Sequence, residues 1–134
     1  MGRRAGVRLL LDTHTLLWAM VEPVLLSRKA SSILADSANT IVVSAASAWE
    51  IATKVRIGKL PTAERIEREF LELMQGAGYT LLPIDTAHAL RAGRFPGTHR
   101  DPFDRMIAAQ ALAEDIPILS KDPRLDTFNI RRIW

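Results

Sequence analysis

The chain alternates short, uninterrupted apolar runs with longer segments whose apolar residues recur every three to four positions. Val7–Leu11 is the first short run, and a run of this kind suits a strand buried on both faces of a parallel sheet. Thr13–Met20 follows with helical spacing (Leu16, Leu17, Met20) and ends before Pro23. Ser27–Ser37 predicts a second helix with Ala30, Ile33, Leu34 and Ala38 on its stripe, and Asn39-Thr40 makes a turn. Ile41–Val43 is β-branched and predicts the second strand, ending at Ser44. Ala45–Ile57 predicts a helix closed by Gly58. Pro61 and Thr62 open another through Gln75, where Ile66, Phe70, Leu73 and Met74 share a face.

Tyr79–Ile84 predicts a third strand, and Asp85 caps a helix over Thr86–Ala92. Gly93–Arg100 reads as a loop, and Pro102–Glu114 as an alanine-rich helix. Ile116–Leu119 and Phe128–Ile133 predict the last two strands. Strands separated by helices imply right-handed crossovers, a central mostly parallel sheet of four to five strands, and helices on both faces: a three-layer α/β/α sandwich. No internal repeat, low-complexity tract or linker interrupts the 134 residues, which read as one domain over 1–134.

Composition narrows the chemistry. Hydrophobic residues make up 48% and charged residues 25%, which excludes a disordered chain or a coiled coil. The absence of cysteine excludes a disulfide scaffold, thiolate zinc sites and a cysteine nucleophile. Net charge is +3, and 14 of the 18 basic residues are Arg. Arg forks onto phosphate, which makes nucleic acid a candidate partner, although an Arg-rich codon usage gives the same count. Arg3 and Arg4 ahead of Val7 and Leu9–Leu11 imitate a signal peptide, but Asp12 and His14 interrupt the apolar stretch early. No apolar run approaches the ~18 residues of a membrane span. The sequence reads as a soluble, untargeted, cytoplasmic chain.

Ligands of open parallel sheets bind beyond the carboxyl ends of the strands. Asp12 follows the first strand. Ser44 follows the second, with Glu50 one to two turns further on. Asp101 and Asp104 open the long helix, and Ser120-Lys121-Asp122 follows the fourth strand. Each acid has an ordinary structural role open to it. Asp12 can cap the helix at Thr13. Ser47 to Glu50 fits a capping box, and Glu50 can pair with Lys54 at i+4. Asp101 is a good N-cap before Pro102, which leaves Asp104 in the first turn. Asp122-Pro123 is a turn dipeptide. Gathered at one sheet edge, however, carboxylates repel: two unit charges 4 Å apart cost about 4 kcal/mol at an effective dielectric of 20. A bound cation relieves that cost, and an all-oxygen donor set suits Mg²⁺ or Mn²⁺. The implied chemistry is metal-assisted phosphodiester hydrolysis.

Other residues carry less. His14, His88 and His99 lack zinc-ligand spacing. Trp18 and Trp49 lie on helical stripes and read as core or interface, with base stacking as the alternative. Arg100, Arg105, Lys121 and Arg124 flank the acids and are candidates to hold a phosphate backbone, or else to pair with carboxylates. Neither nucleotide-binding glycine fingerprint occurs, nor a nucleophile elbow.

Four segments together carry a resemblance: Leu9-Leu10-Leu11-Asp12-Thr13-His14; Ser44 through Trp49-Glu50-Ile51; Arg100-Asp101-Pro102-Phe103-Asp104-Arg105-Met106-Ile107-Ala108-Ala109-Gln110-Ala111; and Leu119-Ser120-Lys121-Asp122. They resemble PIN-domain ribonucleases, the VapC-type toxins of toxin–antitoxin pairs above all, from about Val7 to Trp134. Residues 1–6 are an N-terminal extension outside it. The resemblance implies a Mg²⁺- or Mn²⁺-dependent endoribonuclease with Asp12, Glu50, Asp104 and Asp122 as catalytic metal ligands, and Asp101 and Asp126 as alternatives to Asp122. It implies in-line attack by activated water, leaving 5′-phosphate and 3′-hydroxyl ends. It also implies a homodimer, an RNA substrate and an antitoxin whose tail occupies the active-site groove. The competing readings are a haloacid-dehalogenase-type phosphatase, which needs an acid where His14 stands, and a receiver domain, which needs an aspartate where Ser44 stands. A non-catalytic PIN-like module that binds RNA or protein is the third.

Overall fold

A computed structural model describes residues 5–97 and 101–134. Five strands form one sheet: β1 (Arg8–Leu11), β2 (Thr40–Ser44), β3 (Thr80–Leu82), β4 (Ile118–Leu119) and β5 (Arg132–Ile133). Their order is β3-β2-β1-β4-β5, and every pairing is parallel. The register sets Leu10 opposite Val42 on one side and Ile118 on the other.

Strand alternation sorts the apolar side chains into two cores. Leu9, Leu11, Ile41, Val43 and Leu119 face one side of the sheet. They meet Leu16 and Leu17 of α1 (Thr13–Val21), Ala30 of α2 (Arg28–Ala35), Ile51 of α3 (Ala45–Arg56), Ile66 of α4 (Glu64–Arg68) and Met74 of α5 (Phe70–Ala77). Leu10, Val42 and Ile118 face the other side, against Ile107, Ala108 and Ala111 of α7 (Pro102–Glu114). α6 (Thr86–Arg94) runs beside α7. The buried stretches of the central strands, Leu9–Leu11 and Ile41–Val43, are therefore apolar because both of their faces are covered. Each fully buried leucine there contributes about 1.5–3 kcal/mol.

The expected elements are all present, with every strand but β2 shorter than expected, β2 longer by one residue at each end, and one helix divided. The helix expected over 62–75 breaks at Glu69 (φ −108°, ψ 25°), so Ile66 and Met74 on the two halves reach the same core. Pro83 lacks an amide hydrogen and Asp85 caps α6, which confines β3 to three residues. A 3-10 segment, Pro123–Phe128, and left-handed Asn129 (φ 61°) take the start of the expected fifth strand, leaving Arg132–Ile133. Arg94 still belongs to α6, so the expected loop begins later, and its end, 98–100, lies outside the described residues together with Arg3 and Arg4. Among the described residues no helix is long and apolar enough to cross a membrane.

Candidate active site

The chain winds from β1 outward to β3, then crosses back to lay β4 on the opposite edge of β1. Neighbouring connections therefore leave in opposite directions beyond the carboxyl ends of β1 and β4, which opens a crevice there. Side chains stitch its floor. Thr15 Oγ1 donates to the Leu119 carbonyl at 2.9 Å, and Thr13 Oγ1 lies 3.0 Å from Ser47 Oγ.

Asp12, the residue after β1, is 6% exposed. Its Oδ1 accepts the Thr15 amide at 2.8 Å, capping α1, and its Oδ2 accepts the Ser120 hydroxyl from the far side of the crevice. Ser120 Oγ in turn accepts the Asp122 amide at 3.0 Å. Glu50, 4% exposed, projects from the second turn of α3 and is held by Lys54 at i+4. Asp101 caps α7, taking the Phe103 and Asp104 amides at 2.9 and 3.2 Å, and so fixes Asp104 in the first turn. Asp122 caps the 3-10 segment through the Arg124 amide and also receives the Arg124 guanidinium, with Nη2 at 2.9 Å. Asp122 holds that guanidinium protonated above its ordinary range, and Asp104 and Asp101 add to the effect.

One cleft of about 140 Å³ is lined by Asp12, Thr13, His14, Glu50, Lys54, Asp101, Asp104, Asp122 and Arg124. The four acids expected from the sequence thus line a common cavity, with Asp101 as a fifth. They do not form a ready ligand shell: among the described residues no three acidic or histidine side chains are grouped to hold one ion. Glu50 is turned to Lys54 and Asp122 to Arg124. The donor set is nonetheless all oxygen, which is the chemistry of a hard divalent cation. Two side-chain cations stand where such an ion would offset the same charge.

Several expectations need correction. Ser44, not Ser47, caps α3, through the Ala46 amide at 2.9 Å, so the capping-box reading of Ser47 and Glu50 fails. Arg105 is no phosphate ligand in this arrangement. Its guanidinium donates to the Ala92 carbonyl at 3.1 Å and to that of Phe95, closing the end of α6. Asp126 pairs with Arg132 at 2.9 Å and is absent from the cleft lining, which removes it as an alternative to Asp122. Trp49 is 54% exposed and meets Phe103 edge-on at 4.7 Å, so it is not core. Arg100 and His99 lie outside the described residues. His88 is buried and completes the cap of α6. Three cleft residues, Thr13, His14 and Lys54, were not put forward as site residues by the sequence. Their signal was adjacency to Asp12 and the i+4 spacing to Glu50.

Comparison with known proteins gives concordant results. A family model described as PIN domain matches residues 9–130. Ribonuclease VapC16 of Mycobacterium tuberculosis (strain ATCC 25618 / H37Rv) is 41% identical over 86 residues, covering 63% of this chain and 61% of that protein. Ribonuclease VapC22 of the same strain is 33% identical over 119 residues, covering 87% of this chain and 88% of that protein. The chain thus spans less than two thirds of VapC16 and most of VapC22. Among solved structures, VapBC2 from Rickettsia felis, bound to a DNA fragment from its promoter, matches with a TM-score of 0.70 at 16% identity. That match covers 95% of this chain and 97% of the other, a likeness of fold.

Proposed function

The chain belongs to the PIN domain family, and on that premise we propose that it is an endoribonuclease, the toxin of a toxin–antitoxin pair, using a divalent cation. The observation that carries this reading is the convergence of Asp12, Glu50, Asp101, Asp104 and Asp122, from four separate parts of the chain, on one cleft at the sheet's switch point. The kinship with ribonucleases VapC16 and VapC22 supplies the substrate class.

A Mg²⁺ or Mn²⁺ ion in this donor set would neutralise phosphoryl charge and acidify water. Asp12, Glu50, Asp104 and Asp122 are the proposed ligands. The chain's own groups do the rest. Asp12 is presented rigidly, because the Thr15 amide and the Ser120 hydroxyl fix both of its oxygens. Asp104 is fixed by the cap at Asp101. One of these carboxylates takes the proton of the attacking water as its oxygen forms a bond to phosphorus. The bond to the 3′ oxygen breaks and that oxygen takes a proton from solvent, leaving a 3′-hydroxyl and a 5′-phosphate. Lys54 and Arg124, at the rim, are placed to attract the RNA backbone. The match to a VapBC complex supports an antitoxin as protein partner. A homodimer and a cytoplasmic location complete the proposal.

The test is cleavage of RNA with Mg²⁺ or Mn²⁺, with and without chelator, alongside calorimetric titration of the metal. Cleavage abolished by chelator and by Asp104→Asn, with the variant folded, is the expected result. Cleavage indifferent to both defeats the metal-nuclease reading. RNA binding with no cleavage in any metal would make the protein a non-catalytic module.

A further inference from the structure

A second cleft, of about 250 Å³, adjoins the acidic one and shares Asp12, His14 and Asp122 with it. Trp18 and Lys121 complete its lining. Its character differs. Trp18 is half-buried on α1, one turn beyond exposed His14, and their ring centroids are 6.1 Å apart. Behind it, Trp134 packs against the first core and braces the Trp18 ring at 5.8 Å. Exposed Lys121 brings a positive charge to this cleft.

We propose that this cleft is a base-stacking subsite for the nucleotide next to the scissile phosphate, with Trp18 as the stacking surface, His14, its ring tilted 47° to the indole, as the side wall, and Lys121 on that nucleotide's phosphate. The inference rests on the nuclease reading of the acidic cleft. The two clefts share Asp12 and Asp122, so a nucleotide flanking a scissile phosphate in the acidic cleft lies within reach of this one. Aromatic walls accept any base through its π-face, and a cation beside them suits the backbone. The braced ring loses little freedom when a base lands on it. A protein partner would find there only a small pocket interrupted by charge, whereas a single flat base with an adjoining phosphate matches both the aromatic wall and Lys121.

The experiment compares the parent, Trp18→Ala, Trp18→Phe and Lys121→Ala on short single-stranded RNAs in which each nucleotide around the cut is replaced in turn by an abasic one. Trp18→Ala is expected to raise KM roughly 5- to 150-fold, the range for loss of one stacked base, with kcat at saturation within about twofold. Trp18→Phe recovers most of the loss. One abasic position beside the cut weakens the parent similarly and adds nothing in Trp18→Ala. An abasic series that affects parent and Trp18→Ala alike overturns the proposal, as does a fall in kcat with KM unchanged. Should Trp18→Ala fail to fold, the parent's abasic series decides: if no position beside the cut is sensitive, the subsite does not exist. A parent that cleaves no RNA defeats the nuclease reading separately. Quenching of tryptophan fluorescence by the same RNAs, reduced in Trp18→Phe, would then still support the stacking surface, and absence of quenching would overturn it.

Discussion

Asp12→Asn separates the two roles that one carboxylate plays here. Asp12 caps α1 through Oδ1 and accepts the Ser120 hydroxyl through Oδ2, at 6% exposure. Asparagine caps a helix about as well as aspartate, so the Thr15 bond survives. In place of Oδ2 stands an amide nitrogen, so the bond from Ser120 to a charged acceptor, worth about 1.5–3 kcal/mol, gives way to one the amide donates to the Ser120 oxygen, between neutral groups and worth about 0.5–1.5 kcal/mol. The net cost is about 1 kcal/mol, or a fall in Tm of about 3–5 °C for a chain of this length. Asp12→Ala loses the cap, about 1 kcal/mol, and strands the buried Ser120 hydroxyl, a further 1–3 kcal/mol, for roughly 2–4 kcal/mol in total. Both costs fall below the roughly 5–15 kcal/mol that stabilises an ordinary domain, so both variants fold. Activity follows a different scale. Removing a unit charge from the donor set of a divalent cation loses at least the ~4 kcal/mol that two unit charges about 4 Å apart exchange at an effective dielectric of 20, so Asp12→Asn should cleave at least roughly 10²- to 10³-fold more slowly. Thermal unfolding and single-turnover RNA cleavage are measured on the same preparations. If Asp12→Asn cleaves within about threefold of the parent, while Asp12→Ala loses activity only as it loses folded protein, then Asp12 is a cap and nothing more.

Two further predictions concern the scaffold. Tyr79 is the only tyrosine, and burial pushes its phenol above the ordinary value of about 10. Its contribution to stability is therefore complete below pH ~10 and is lost as pH rises through the folded value. Tyrosinate absorbance should titrate later in the folded protein than in denaturant, and coincident curves would refute this. Gln110 is buried, accepts the Ser44 hydroxyl, and donates to the Pro83 carbonyl at 3.2 Å. Gln110→Leu should cost about 1–3 kcal/mol in urea unfolding by stranding the buried Ser44 hydroxyl, and a change under about 0.5 kcal/mol would show that the bonds contribute little.

The sequence discloses most where local chemistry and tertiary demand coincide. The run Asp101-Pro102-Phe103-Asp104 states the start of α7 through a cap, a proline at the first helical position and an acid in the first turn, and the helix begins at Pro102 as expected. β1 and β2 are legible because Leu9–Leu11 and Ile41–Val43 are apolar on both faces. The break at Glu69 is not legible. Periodicity over 62–75 is satisfied by one helix, and only the position of the shared core requires two. The shortness of β4 follows from the turn out of α7, where left-handed Asp115 (φ 53°) lets the Ile116 amide bond the Ala111 carbonyl at 3.0 Å. At the site, the sequence identifies which acids gather but not where their oxygens point, because Lys54 and Arg124 act on rotamers. Arg105 shows the same limit. Its place beside Asp104 suggests phosphate, yet the carbonyls at the end of α6 take its donors.

How a small fold sustains five carboxylates in one cleft can be reasoned from where the helices begin. α1, α3 and α7 all present their N-termini at this edge of the sheet, capped by Asp12, Ser44 and Asp101. The positive end of each helix favours a nearby negative charge by about 0.3–1 kcal/mol. That offset is built into the backbone and cannot leave. It falls short of the ~4 kcal/mol by which two carboxylates about 4 Å apart would repel, and Lys54 on Glu50 and Arg124 on Asp122 add positive charge at the same cleft. These two cations stand on long rotatable stems at the rim, and the Arg124 side chain is 75% exposed. The charge balance of the cleft thus has a fixed part, from the peptide dipoles, and an exchangeable part, from two side chains. Only the exchangeable part can yield its carboxylates to an incoming cation. The same movement would free a guanidinium and an ammonium at the rim, where the phosphate backbone would pass.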